Sequence, residues 1–309
     1  MIGIVILNFN SWDETHKCLL SIFNSQSELK WHIYLVDNAS NIPMPDKISK
    51  MLNPIQITYL PSPINKGYSG GNNIGVTNAL NDQCEEILIV NNDVVFMKDS
   101  ISNLKQYLNQ NINVGIVGPK VYLPNGSIQL INCGIKMGMN EKYMYLLNKT
   151  PLRFLVSNFI RDFNALDKDL SKPFKVYAVS GCCFMMSKEC ATEITPFDDS
   201  TFLYEEENII GYNMEMAGYE TVYCTNSEVI HAHGQSTKNM KAFSYSCFVE
   251  SELYYSKKYL KSTTVKVLPL YAIRTFKYLF FCFTEKDYRR NISLYFSKTL
   301  RMLKKKHIN

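Results

Sequence analysis

Residues 86–93 read Glu-Ile-Leu-Ile-Val-Asn-Asn-Asp, and this stretch narrows the choice of fold more than any other. Four consecutive apolar residues leave no polar face, so the segment suits a strand covered on both sides, as in a parallel sheet flanked by helices. The switch to Asn91-Asn92-Asp93 puts a carboxylate at the strand's carboxyl end, where open α/β sheets bind ligands. An Asp there can hold a hard divalent cation against a diphosphate. A buried strand followed by an ordinary turn has the same sequence, so the rest of the chain must decide.

The first half repeats the theme. Residues 2–8, 33–37, 55–60, 86–91 and 114–118 read as strands. Residues 13–25, 71–80 and 100–110 read as helices, the first with Leu19, Leu20 and Phe23 on one face. Strands separated by helices predict βαβ units and a Rossmann-like, mostly parallel sheet flanked by helices. Residues 149–175 carry no clean period and are expected to form a loop or an acceptor-side lid. Order returns with the apolar run 176–186. A helix is expected over 209–217, stopping at Gly218. Strand-like residues 221–223 and 228–230 lead to His231.

At 46% hydrophobic and 20% charged residues the composition is globular. The first ten residues lack a basic region and their apolar run is too short for a signal peptide, so they are expected as the first strand. Nine cysteines without a CxxC pair imply reduced thiols in a cytosolic protein and no zinc site. The net charge of +5 hides an asymmetry: residues 1–237 hold 17 basic and 24 acidic side chains, whereas 238–309 hold 16 and 4. A basic, aromatic, mostly helical tail on an acidic body points to an anionic surface. Within it, 268–283 is apolar but interrupted by Arg274 and Lys277. It is too short and too charged for a membrane span and suits a helix lying in the membrane interface. A pair of core helices with solvated lysines is the plainer alternative.

Four further segments could carry chemistry. Asp37 closes a strand and can accept hydrogen bonds from a nucleobase or ribose, or simply form a turn with Asn38. Residues 65–73, Asn-Lys-Gly-Tyr-Ser-Gly-Gly-Asn-Asn, permit tight turns and close approach to a ligand but match neither GxGxxG nor a P-loop. Glu205-Glu206-Glu207 precede a helix, where the dipole favours carboxylates; one of them could also act as general base toward a hydroxyl. His231 offers an imidazole that would join Asp93 as a metal ligand.

In this order the segments resemble family 2 glycosyltransferases with the GT-A fold, especially the rhamnosyltransferase-like branch of bacterial polysaccharide synthesis. The matching residues are 6–10 (Ile-Leu-Asn-Phe-Asn), 36–40 (Val-Asp-Asn-Ala-Ser), 65–72, 90–93 (Val-Asn-Asn-Asp), Ser180-Gly181, Phe197-Asp198, Phe202-Leu203-Tyr204 with Glu206-Glu207, and His231 with Gly234 and Ser236. The match spans roughly 1–240, which the resemblance marks as the GT-A domain, leaving 241–309 as a helical segment for membrane-surface or dimer contact. It implies an inverting, metal-dependent hexosyl- or deoxyhexosyltransferase. Such an enzyme moves a sugar from a UDP- or dTDP-linked donor to a glycan hydroxyl, the acceptor being lipid-linked at the inner face of the plasma membrane. Asn8, Asn10, Asp37, Asn65, Gly67, Asn72, Asn92, Asp93 and Gly181 would bind the donor. Asp93 and His231 would hold Mn²⁺ or Mg²⁺. Glu207 would be the base, with Glu206 beside it. Asn91 stands where the family's metal motif has its first Asp, and Glu205 leaves a one-residue slip of the acidic pair open.

Two rivals remain. A sugar nucleotidyltransferase would carry a Gly-rich loop with Arg and Lys after the first strand, where this chain has Asn8-Phe-Asn-Ser-Trp12. A non-catalytic glycan- or nucleic-acid-binding protein would use the basic tail; acids clustered at strand ends argue against it, and no nucleic-acid partner is expected.

Overall fold

The computed structural model describes residues 1–25, 29–53, 55–232 and 240–305. Among these, nine strands form one sheet: β1 (Ile2–Asn8), β2 (Trp31–Asp37), β3 (Ile57–Pro61), β4 (Glu86–Asn91), β5 (Val94–Phe96), β6 (Val114–Tyr122), β7 (Phe174–Val176), β8 (Cys183–Ser187) and β9 (Glu220–His231). The helices are α1 (Trp12–Ser25), α2 (Asp46–Ser49), α3 (Gly67–Asn81), α4 (Ser100–Gln110), α5 (Met139–Leu147), α6 (Ser157–Phe163), α7 (Lys188–Ile194), α8 (Glu206–Ala217), α9 (Lys241–Lys258), α10 (Thr264–Thr284), α11 (Lys286–Arg290) and α12 (Ile292–Lys304). A 3₁₀ turn covers Pro151–Val156.

The sheet runs β3–β2–β1–β4–β8–β6–β9–β5, with β7 also on β9. β3, β2, β1 and β4 are mutually parallel. β8 enters antiparallel between β4 and β6. Register aligns Asn8 with Asp37 and Leu7 with Asn91. The polar residues that end each apolar run therefore share one sheet edge. Side chains alternate faces along a strand, so Ile4 and Leu88 meet Leu19, Ile22 and Leu104 of α1 and α4. Val5 and Ile89 meet Val76, Ala79, Cys190 and Met214 of α3, α7 and α8 on the other face.

Helix α3 starts at Gly67, so most of the glycine-rich stretch is helical. A Cβ on Gly71 would lie 2.5 Å from Leu7 Cδ1 and one on Gly75 2.4 Å from Val5 Cγ1. These glycines let the helix press onto β1. Gly67 itself has φ +71°, and a Cβ there would lie 2.2 Å from the Phe202 carbonyl oxygen.

The region expected as a loop or an acceptor-side lid is helical over 151–163 and runs in turns from 164 to 173. Phe159 and Phe163 of α6 pack with Val156 and Met137 in a small satellite core. Helices this short never complete the apolar repeat that would reveal them.

The tail begins with α9, which is buried along most of its length. Val249 and Leu253 share a cluster with Ile209 of α8 and with Tyr278 and Tyr295 of α10 and α12. Asp198 accepts hydrogen bonds from Tyr254 (2.6 Å), Tyr259 (2.6 Å) and Lys258 (3.1 Å). The matched Asp198 thus anchors α9 to the sheet domain. All nine cysteines are free and eight are buried.

Candidate active site

A cleft of about 850 Å³ opens at the carboxyl ends of β1, β2 and β4 and runs toward α5, α9 and α10. The segments that follow the strand ends are tied to one another by side-chain hydrogen bonds. Asn38 donates to Asn65 Oδ1 and the Gly67 carbonyl, both at 3.0 Å, and accepts from the Lys66 amide. Asn65 and Gly67 line the cleft. The Asp37 carboxylate accepts from the Ser40 amide (3.1 Å) and the Tyr59 hydroxyl (3.0 Å).

Four of the matched asparagines do internal work. Asn8, fully buried, donates to Ser40 Oγ and accepts from Thr15 and Asn92. Asn92 also donates to the Ser11 carbonyl and Thr15 Oγ1, so its amide ties β4 to the start of α1. Asn10 holds the Asn41 and Ile42 amides. Asn72, also fully buried, donates to the Tyr68 carbonyl and leaves Oδ1 without a hydrogen-bond partner.

Asp93 and His231, 138 residues apart in sequence, meet because β5 pairs antiparallel with β9, Val94 opposite His231. His231 Nε2 lies 3.2 Å from Asp93 Oδ1. Burial disfavours the charged imidazolium, but hydrogen bonds to Asp93 and Cys182 outweigh it and raise the His231 pKa to about 10. Its Nδ1 faces Gln129 Oε1 at 3.1 Å. With Nε2 given to a cation, that contact would hold the ring's remaining proton on Nδ1. One carboxylate and one imidazole suit Mn²⁺ or Mg²⁺ when ligand oxygens complete the shell. Among the described residues no group of three or more His, Cys, Asp or Glu side chains gathers to hold a metal, at this cleft or elsewhere. Gly234 and Ser236 lie outside the described residues.

The three glutamates separate by environment. Glu205, in the left-handed conformation at φ +67°, points into the protein. It takes Lys142 Nζ at 2.6 Å and Asn208 Nδ2 at 2.9 Å. Lys142 also lies 3.9 Å from Glu252. Glu252 in turn receives Arg274 through two 2.8 Å bonds. Glu205 is thus neutralised by a buried network joining α5, α9 and α10. All three glutamates line the cleft, but Glu206 and Glu207 make none of these ion pairs. Glu207 Oε1 accepts the Gly181 amide at 3.1 Å. Glu206 Oε2 is buried without a partner. Burial, then the neighbouring Glu207 charge, drives the Glu206 carboxyl well above the usual range. Burial also raises Glu207, but amide hydrogen bonds, that of Gly181 among them, work against the rise. Of the pair, Glu207 ionises first.

Gln129, Lys142, Glu252 and Arg274 all line the cleft and none stands out in the sequence. Gln129 and Lys142 sit where no period is visible, and the other two sit among the tail's ordinary charges.

The profile of Glycosyl transferase family 2 matches residues 3–194. The low-salt glycan biosynthesis hexosyltransferase Agl10 of Haloferax volcanii is 26% identical over 234 residues, covering 74% of this chain and 66% of that protein. Two solved structures share the fold. GalNAc-T7 with UDP, GalNAc and Mn²⁺ aligns with TM-score 0.60 and 14% identity, covering 84% of this chain and 49% of that one. The mannosyltransferase PcManGT of Pyrobaculum calidifontis, with GDP-Man and Mn²⁺, aligns with TM-score 0.54 and 13% identity, covering 82% and 61%. The chain therefore spans between half and two-thirds of the length of these relatives. The sheet that gathers its polar strand ends at one cleft is the GT-A fold of glycosyltransferases, and the chain belongs to Glycosyl transferase family 2.

Proposed function

We propose that this protein transfers a sugar, with inversion, from a nucleoside-diphosphate sugar to a hydroxyl of a lipid-linked glycan at the inner membrane face. The observation that carries this reading is the convergence of two chemically distinct sites in one cleft. An Asp93–His231 pair able to hold a cation and a carboxylate pair, Glu206 and Glu207, share the cleft with Gly181. Asn65, Gly67 and Gly181 would bind the donor, with Asp37 at the strand end toward the base. The buried amides of Asn8, Asn72 and Asn92 and the half-buried amide of Asn10 would shape that pocket from behind. UDP or dTDP is the expected leaving nucleotide.

Asp93 and His231 would hold Mn²⁺ or Mg²⁺, which when bound neutralises charge on the departing diphosphate. Glu207, the more readily ionised carboxylate, takes the proton of the acceptor hydroxyl. The hydroxyl oxygen then forms the new bond to the anomeric carbon while the bond to the diphosphate oxygen breaks, its electron pair leaving with the nucleotide. Glu206 stays protonated beside it and limits the negative charge facing the donor. An acidic body also explains why a cation is needed to seat an anionic donor.

The test is a screen of UDP-, dTDP- and GDP-sugars for thermal stabilisation and slow hydrolysis, with and without Mn²⁺. Wild type should respond to one nucleotide class in a metal-dependent way and Asp93→Ala should not. Absence of any nucleotide response from wild type overturns the assignment.

A further inference from the structure

We infer that the outer face of α10, continued by the 3₁₀ turn after α5, docks on an anionic lipid bilayer; the inference deepens the membrane-side acceptor reading above by naming the surface. Helix α10 is apolar on two faces. Its inner face, with Val267, Leu270 and Tyr278, is buried against α9 and α12. Its outer face leaves Val265 80%, Phe276 74%, Phe280 57% and Phe283 83% exposed. The three phenylalanines follow helical spacing, so they form one stripe. Water-facing aromatics in such number signal a surface made to be covered.

By length and composition α10 could cross a membrane. The fold prevents it: Arg274 is bonded to Glu252 inside the protein, and the Tyr278 hydroxyl donates to the Tyr288 carbonyl. Only one face is available, which suits a helix lying in the plane of the interface.

The neighbouring turn adds to the same surface. Tyr143 of α5 donates to the Lys266 carbonyl at 2.6 Å, fastening α5 beside α10. Phe154 and Leu155, in the turn that follows α5, are 65% and 63% exposed.

Charge selects the occupant. Lys266, Lys277, Lys286 and Arg290 are exposed on α10 and α11. Lys149 lies close enough to Lys277 for the two charges to repel. A second copy of this face would set these cations against their own kind, whereas an anionic leaflet complements them. Lys142 of α5 and Arg274 of α10, buried on the inner side of these helices, line the cleft, so the docking elements also contribute to the cleft wall.

The test is co-sedimentation of the full chain, without donor or metal, with vesicles of phosphatidylcholine alone or mixed with phosphatidylglycerol at physiological salt. Wild type should sediment with the mixed vesicles and weakly with the neutral ones. The triple variant Phe276→Ser, Phe280→Ser, Phe283→Ser and the pair Lys286→Glu, Arg290→Glu should each lose about tenfold or more in vesicle affinity. Both should keep wild-type donor hydrolysis, which also shows that they fold. Asp93→Ala should sediment as wild type does, so failure of the catalytic reading leaves this one standing. Wild type that ignores anionic vesicles overturns the proposal. So do variants that sediment unchanged, or light scattering that reports a dimer broken by the phenylalanine changes in a protein with no vesicle binding.

Discussion

The two walls of the cleft are built in opposite ways. The wall proposed to hold the donor is assembled from strand ends and the segments just beyond them, with two amides and one carboxylate bonded to backbone: Asn38 to Gly67, Asn10 to Asn41, Asp37 to Ser40. The wall opposite rests on buried charges brought from remote helices, Lys142, Glu205, Glu252 and Arg274. A polar wall tied to its own backbone tolerates loss of one bond at a modest cost, because each group keeps other partners. A buried ion network does not, since removing one member strands another charge in the interior. This contrast also sorts the glutamates: Glu205 belongs to the network, while Glu206 and Glu207 remain available to a ligand.

The largest effect should come from that division. Glu207→Gln should lower kcat about 10²- to 10⁴-fold with stability nearly unchanged, and Glu206→Gln should lower it less. Steady-state kinetics on both variants checks this, and the reverse order would move the base to Glu206. Next, Lys142→Met should destabilise by about 3–5 kcal/mol in urea unfolding, because Glu205 and Glu252 lose their shared cation. Adding Glu205→Gln to that variant should recover part of the loss; no recovery would mean that the network is not what supports this wall.

On the donor wall, Gly67→Ala should cost about 1–3 kcal/mol, since φ +71° and the Phe202 carbonyl both oppose a side chain. Thermal unfolding measures it, and a donor KM that rises along with the loss would tie the turn to the nucleotide.

The smallest effect is in pH. Because the folded His231 pKa is raised to about 10, its ion pair with Asp93 stabilises the metal-free protein fully below the unfolded pKa near 6.5. That contribution is lost as pH rises through 10. A cation must displace the same proton, so Mn²⁺ affinity should rise by up to about tenfold per pH unit across that window. Calorimetric titration at several pH values decides it, and a flat profile would remove His231 from the metal site.

Much of the donor wall was legible in the sequence. Strands 2–8 and 86–91 and helix 100–110 lie where periodicity put them, and Gly218 ends α8 at φ +77° as its place in the sequence requires. Asp93 and His231 are also paired from the sequence, by the metal-ligating chemistry of their side chains rather than by spacing. The strand ends are readable because burial on both faces forces an unbroken apolar run, and the polar residue that stops it marks the sheet edge. The glycines of 65–73 divide between two uses, Gly67 lining the cleft and Gly71 letting α3 press onto β1, and the sequence cannot separate them because a tight turn and a close helix–strand contact ask for the same residue.

The sequence by itself determined the alternation of strands and helices, the polar edge of the sheet and the charge imbalance of the tail, all properties of local pattern. Only the tertiary structure decided which of three adjacent glutamates is neutralised, that Asp198 anchors the tail, and which face of α10 meets solvent. Those outcomes depend on partners 22 to 63 residues apart, Arg274 with Glu252, Tyr254 with Asp198 and Lys142 with Glu205, and the energy of a buried charge is set by what surrounds it rather than by its neighbours in the chain.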